Sequence, residues 1–334
     1  MDEKSSVLVS NSEIISDIYD PHELQVMQIF FPFQLQTQIE ALQQNKRFVH
    51  YTTAECALQI FQNKQVWMRQ ISCMNDYQEV EHGLVLLLNE YKRERGERFK
   101  ALINGLHPKI TDEIEQLFND WRPYFLNDTY IACVSEHESS EDESGRLSMW
   151  RAYGQKTGVA LVLNCGVFIR PTDALSAYAS PVAYLDEESF GLQFESIINA
   201  IESNSEFVAS LDRKTVLNAI FNAFRYASLC TKHPGFAEER EWRVVHSPKM
   251  QPSTRLSRRV EVISGVPQPV YKIPLNDLPD EGLVGLRIPE LVDRVIIGPT
   301  DYPLAMFDAF TDALHEAGVE KPHERVFVSN IPLR

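Results

Sequence analysis

The sequence predicts an α+β fold, a mixed sheet decorated by helices, on three observations. Short β-favouring runs recur from residue 47 to residue 331. Two stretches, at about 76–125 and 187–230, hold helical periodicity with few breakers, and no linker or internal repeat divides the chain. The expected organisation is an N-terminal extension over 1–33, followed by one α+β domain over 34–334 with helical insertions at those two stretches.

The elements follow in order. Residues 34–45 read as a helix, 47–53 as a strand, 54–62 as a helix and 66–69 as a strand, a strand-helix-strand opening. Helices are expected at 76–104 and 110–125, separated at Pro108, with Thr111 as an N-cap ahead of acidic residues. Thr129–Ser135 reads as a strand and Glu136–Gly145, rich in Ser, Glu and Asp, as a mobile surface loop. Leu147–Tyr153 is a short helix and Val159–Leu163 a continuously apolar strand. After the second helical block come strands at 241–246, at 260–273 around a Gly265-Val266-Pro267 turn, and at 293–297. A helix at 304–317 and a strand at 326–331 end the series.

Composition limits the function. The 334 residues include 44% hydrophobic ones, enough for a substantial core. A formal net charge of -15 argues against non-specific binding to nucleic acid or anionic membrane, which rests on a basic surface. The five cysteines are an odd number, widely spaced and without a C-x-x-C pair, so neither a disulfide framework nor a zinc site is expected. The acidic, polar start Met1-Asp2-Glu3-Lys4 is unlike a secretory signal, and no apolar run reaches the length of a membrane span, so a cytoplasmic protein is expected.

Four segments carry candidate chemistry. In Phe48-Val49-His50-Tyr51-Thr52, strand alternation puts His50 and Thr52 on one face and Val49 and Tyr51 on the other, so either a polar pocket wall or a satisfied core His with Tyr51 as packing results. Asn75 or Asp76 with Glu79 has the spacing of a helix cap; Asp76, Glu79 and His82 would otherwise line one helical face as metal ligands. In Ser148–Gly154, Met149, Trp150 and Tyr153 cluster on one helical face, with Ser148 and Arg151 in the same short turn, either as core or as a pocket rim beside the polar loop. Glu239 and Glu241 flank Arg240 at a strand start, where a period of two would point both carboxylates to one face. Such a pair either perturbs its own titration at a working site or is neutralised by Arg240, Arg243 and Arg334.

The order of strand His-Tyr-Thr, helix, strand, Asn-Asp-x-x-Glu, Met-Trp-x-x-Tyr and Glu-x-Glu-Trp-Arg resembles an uncharacterised bacterial family of unknown function, over roughly residues 45–334. More distantly, His50-Tyr51-Thr52 with Glu239-x-Glu241 opening a late strand is similar to the split-sheet ADP-ribosyltransferase fold, which includes toxins. Where that fold carries Ser-Thr-Ser, this chain has Val134-Ser135-Glu136. The resemblance implies a split sheet, NAD as substrate and no metal. It makes Glu241 the catalytic carboxylate and Glu239 the group that orients or deprotonates the acceptor. His50 would bond the adenosine-side ribose, with Tyr51 and Thr52 beside it; Trp150 or Tyr153 would stack on nicotinamide, and Arg151 would hold the diphosphate. A toxin or phage-defence role, with an unidentified acceptor and an antitoxin or activating partner, follows from the same resemblance. Two alternatives stay open: a metal-dependent phosphodiesterase or nuclease built on Asp76, Glu239 and Glu241, and a non-catalytic protein-binding module.

Overall fold

The computed structural model of the protein describes residues 18–74, 77–154, 156–170 and 172–332. It is an α+β fold with a large mixed sheet and many helices. In chain order the strands are β1 Arg47–Thr53, β2 Gln65–Gln70, β3 Tyr130–His137, β4 Gly158–Asn164, β5 Tyr178–Pro181, β6 Ala183–Tyr184 and β7 Thr231–Lys232. Then follow β8 Glu241–His246, β9 Ser257–Ile263, β10 Val266–Pro274, β11 Val292–Ile297 and β12 Val326–Val328.

The chain divides into two compact units, one assembled from residues up to Gln43, Ile71–Thr129 and Ser180–Ala237, the other from Gln44–Gln70, Tyr130–Ala179 and Glu238–Arg334. The first is helical. Helices Tyr77–Tyr91, Glu94–Leu106, Ile110–Asn127, Glu187–Ser203 and Arg213–Leu229 surround an aromatic core in which Phe99, Phe118, Phe194 and Phe224 meet edge to face or tilted. A cavity of about 240 Å³, lined by Phe30, Phe33, Leu87, Phe190, Ile220 and others, remains among them. Helix Pro21–Phe30, with Asp20 accepting the amides of His22 and Glu23, precedes Pro32–Gln43. Both lie at the start of the chain, overlapping the residues read from sequence as an extension.

Two sequence expectations are corrected in this unit. The helix expected over 76–104 breaks between Tyr91 and Glu94, because a new helix starts with Glu94 and Glu97 in its first turn. Thr111 is not an N-cap: Lys109, in a left-handed conformation, holds that place, and Thr111 is bonded instead by the Asn104 side chain, at 2.7 Å to its hydroxyl and 3.2 Å from its amide.

The second unit carries the sheet, in the order β12-β11-β4-β1-β3-β2-β10-β9, with β8 paired to β3. β4 is flanked by β1 and β11 and is buried along almost its whole length, which explains its uninterrupted apolar sequence. β3 is the branch point. β8 runs along one edge of it, from Tyr130↔His246 to Ser135↔Glu241. The opposite edge is divided, with β1 pairing at Val49↔Ser135 through Arg47↔His137 and β2 at Arg69↔Ile131 and Gln70↔Tyr130. β1 and β2 therefore fork away from one another along a single edge. Among the described residues, no helix is long and apolar enough to cross a membrane, and none of the five cysteines is in a disulfide.

Candidate functional site

The fork is where the predicted strand His-Tyr-Thr acquires its geometry. Just past the last β1–β3 pair, His50 Nδ1 lies 3.1 Å from the Cys133 carbonyl oxygen. A carbonyl only accepts, so Nδ1 carries the proton and Nε2 presents a lone pair. Burial pushes the imidazole pKa below its usual 6.5, against the upward pull of the carbonyl, so the ring is neutral near pH 7. Thr52 shares the His50 face, and Thr53 caps the next helix by accepting the Cys56 amide at 3.3 Å.

The opposite face of the sheet follows from the register. Val49, Ser135 and Glu241 occupy one row, so Val49, Tyr51, Ser135, Glu241 and Arg243 share a face that His50 and Thr52 do not. The residues nominated from sequence are thus divided between two faces. On the Glu241 face, Tyr51 and Trp150 meet edge to face with centroids 4.8 Å apart. Around them Val49, Met149, Ala160, Val162 and Ile296 complete a buried cluster.

Trp150 is enclosed. Its indole nitrogen donates to the Ser144 carbonyl at 2.8 Å, and Gly145 and Gly298 leave room for its ring: a methyl group at Gly145 would meet it at 2.5 Å and one at Gly298 at 2.9 Å. Tyr51 is likewise used, since its hydroxyl accepts the Arg146 amide at 2.8 Å and burial pushes its pKa up to about 12. Trp150, named with Tyr153 as a candidate to stack on nicotinamide, and Tyr51, named beside His50, are thus both buried, which is the packing alternative that the sequence offered for each. Arg151 and Tyr153 are exposed on the turn Trp150–Gly154, a π-helical turn where an α-helix was expected to run on from Leu147–Met149.

The expected alignment of Glu239 and Glu241 is also corrected. β8 begins at Glu241, Glu239 ends a 3₁₀ turn, and Arg240 between them has φ 46°, a left-handed conformation that breaks the period of two. Glu241 faces a different partner: Arg243, two residues on and on the same face, donates to it from Nε at 2.9 Å and more weakly from Nη2 at 3.5 Å. Glu241 is 5% exposed and Arg243 fully buried.

A clamp that the sequence reading missed holds this region. The guanidinium of Arg146 donates to both oxygens of Glu141, at 2.8 and 3.1 Å, and to the carbonyls of Glu136 at 2.9 Å and Glu238 at 2.8 Å. Arg240 engages Glu138 and, at 2.6 Å, Glu141. Asp142 takes Arg47 at 2.7 Å, Arg294 at 3.2 Å and His137 at 2.8 Å. The segment read as mobile is thus a strap with a capping box between Glu138 and Glu141. The available signal was its excess of carboxylates, which demands cations from elsewhere in the fold.

Asn75, Asp76 and the Glu79 side chain, and also Arg334, lie outside the described residues. Among the described residues, no three His, Cys, Asp or Glu side chains gather to hold a metal. His82 directs Nε2 at the Leu185 carbonyl, 2.8 Å away.

Residues 149–244 match a family model described as "Protein of unknown function (DUF2971)". The match runs from the turn beneath the clamp to the middle of β8 and so includes Trp150, Arg151, Tyr153, Glu239 and Glu241. No curated protein and no solved structure matches the chain.

Proposed function

We propose that the sheet-bearing unit cleaves NAD at the nicotinamide ribosyl bond, as an ADP-ribosyltransferase-like enzyme or an NAD glycohydrolase. The observation that carries this reading is the forked edge of β3 with a neutral imidazole set in it, whose Nε2 suits a donor such as a ribose hydroxyl. In the reaction the C1′–N bond breaks and its electron pair leaves with nicotinamide. The ribose gains oxocarbenium character, and water or a macromolecular nucleophile then bonds to C1′ and loses its proton. A carboxylate near the ribose stabilises charge that exists only around the transition state, and Glu241, the buried carboxylate held by Arg243, is assigned to that task. Because Glu241 lies on the face opposite His50, this reading has NAD pass through the fork between β1 and β2, with its adenosine-side ribose on the His50 face and its nicotinamide ribose on the Glu241 face. Arg151 and Tyr153, exposed on the turn after the clamp, are assigned to the diphosphate and the nicotinamide ring by residue type.

Calorimetric titration of NAD into wild type and Glu241→Gln, with nicotinamide release measured chromatographically, tests this. Both proteins should bind NAD and only wild type should release nicotinamide. His50→Ala should weaken binding about tenfold, the value of one hydrogen bond worth roughly 1.4 kcal/mol. No binding by wild type would end the reading. Consumption of NAD also predicts growth arrest on expression in bacteria, relieved by Glu241→Gln.

A second reading has its own observation. A carboxylate 5% exposed against a fully buried guanidinium is also what a structural ion pair looks like, and the unit would then be a binding module. In that case Glu241→Gln changes the melting temperature and no chemistry.

A further inference from the structure

The β9–β10 hairpin closes one end of the sheet. Its turn is Ser264-Gly265, with φ of 52° and 81°, the left-handed pair that a two-residue hairpin turn requires. β9 is the terminal strand of the order and pairs with β10 from Lys272↔Ser257 to Val266↔Ile263. Alternation along it puts Arg258, Val260 and Val262 on one face and Arg259, Glu261 and Ile263 on the other. Val260 and Val262 are each 66% exposed.

Charges on an edge strand ordinarily deter pairing, and like charges would do so here. Those next to Val260 are instead opposite in sign, with Arg259 before it and Glu261 after it. If two copies of β9 run antiparallel about a two-fold axis through Val260, Arg259 of each faces Glu261 of the other and the two Val260 side chains face one another. Registers centred on Arg259 or on Glu261 would set like charges face to face, and one centred on Val262 would set Glu261 against Ile263 with no opposite charge, so the pairing of charges favours the alignment centred on Val260. Glu261 also meets Lys272 of its own strand pair at 2.5 Å, so the second copy's Arg259 completes a bracket of two cations around the carboxylate.

We propose that a second copy of this chain adds to β9 edge to edge, giving an isologous dimer whose sheet is continuous across the two-fold. The full-length protein should show a dimer in sedimentation analysis whose population rises with concentration. Arg259→Glu and Glu261→Arg should each abolish the dimer, and the double swap should restore it, because it re-creates the opposite-sign pairing. Cross-strand Cβ atoms at the axis lie about 4.5–5.5 Å apart, close enough for a disulfide after small adjustment. Val260→Cys should therefore cross-link on mild oxidation above the wild-type background from exposed Cys56 and Cys73, and Val262→Cys, opposite Arg258, should not. A protein monomeric at every concentration, a dimer that survives Arg259→Glu, a double swap that stays monomeric, or equal cross-linking at both positions would each overturn the proposal.

Discussion

The Tyr51 hydroxyl accepts the Arg146 amide and so sets the start of the turn that carries Arg151 and Tyr153. Tyr51→Phe leaves that amide buried without its acceptor and should cost about 1–3 kcal/mol in urea unfolding. The same tyrosine supplies a pH dependence. Burial raises the phenols of Tyr51 and Tyr19 from their ordinary 10.0 to about 12, so the folded state keeps protons that the unfolded chain has released. Their contribution is complete below pH 10 and is lost as the pH rises from 10 towards 12, which unfolding measured at about pH 9 and about pH 11 should detect. At Gly145, alanine faces a ring at 2.5 Å and a backbone with φ 68°; about 1–3 kcal/mol should be lost, with Trp150 fluorescence altered. Glu241→Ala removes a carboxylate from a fully buried guanidinium, a change that costs up to about 3–5 kcal/mol, whereas Glu241→Gln retains an oxygen for Arg243. This difference makes the glutamine variant the proper probe of chemistry.

Among the elements, the strap from Glu138 to Arg146 makes the sharpest claim. Burial alone would raise the Glu141 carboxyl pKa; the Arg146 hydrogen bonds and the charges of Arg146 and Arg240 outweigh it, and the net shift is below the ordinary 4.5. A depressed carboxylate stabilises the fold above its unfolded pKa, and that contribution is lost as pH falls through the folded value. Acidification below about pH 4.5 should therefore loosen the strap, reported by the fluorescence of Trp150, whose indole bonds Ser144 within it. Glu141→Gln should abolish that pH response. The strap also marks what local sequence could convey. β1, β3, β4, β8 and β11 lie within one or two residues of their expected positions, because alternating or continuous apolar runs are local signals. Apart from Arg146, the cations that hold the strap come from β1, β11 and the residue before β8, far away in sequence, so composition alone read it as mobile. The left-handed Arg240 was equally hidden, since nothing in Glu-Arg-Glu marks a residue with φ 46°. Alternation correctly separated His50 from Tyr51, but only the register shows that Glu241 lies on the Tyr51 side.

At the scale of the whole molecule, the family match over residues 149–244 starts in the sheet-bearing unit, crosses Ser180–Ala237 of the helical one and returns to β8. It therefore contains neither unit complete, and a fragment cut to its limits would lack β1, β3 and the strap itself. Experiments on the candidate site need the full chain. The charge of the full chain makes a further prediction. Of its basic groups, Arg47, Arg146, Arg240 and Arg294 are held by carboxylates of the strap and of Asp293, and Arg95 and Arg98 by Glu90, Glu195 and Glu202. Cations already paired release few counterions from a polyanion, and the net charge of -15 repels it at long range. The anisotropy of a labelled DNA duplex should thus stay flat with micromolar protein even in low salt, where electrostatic binding is strongest. A rise that disappears on adding salt would show a concentrated basic surface, and would redirect the search for the acceptor of the proposed transfer towards nucleic acid.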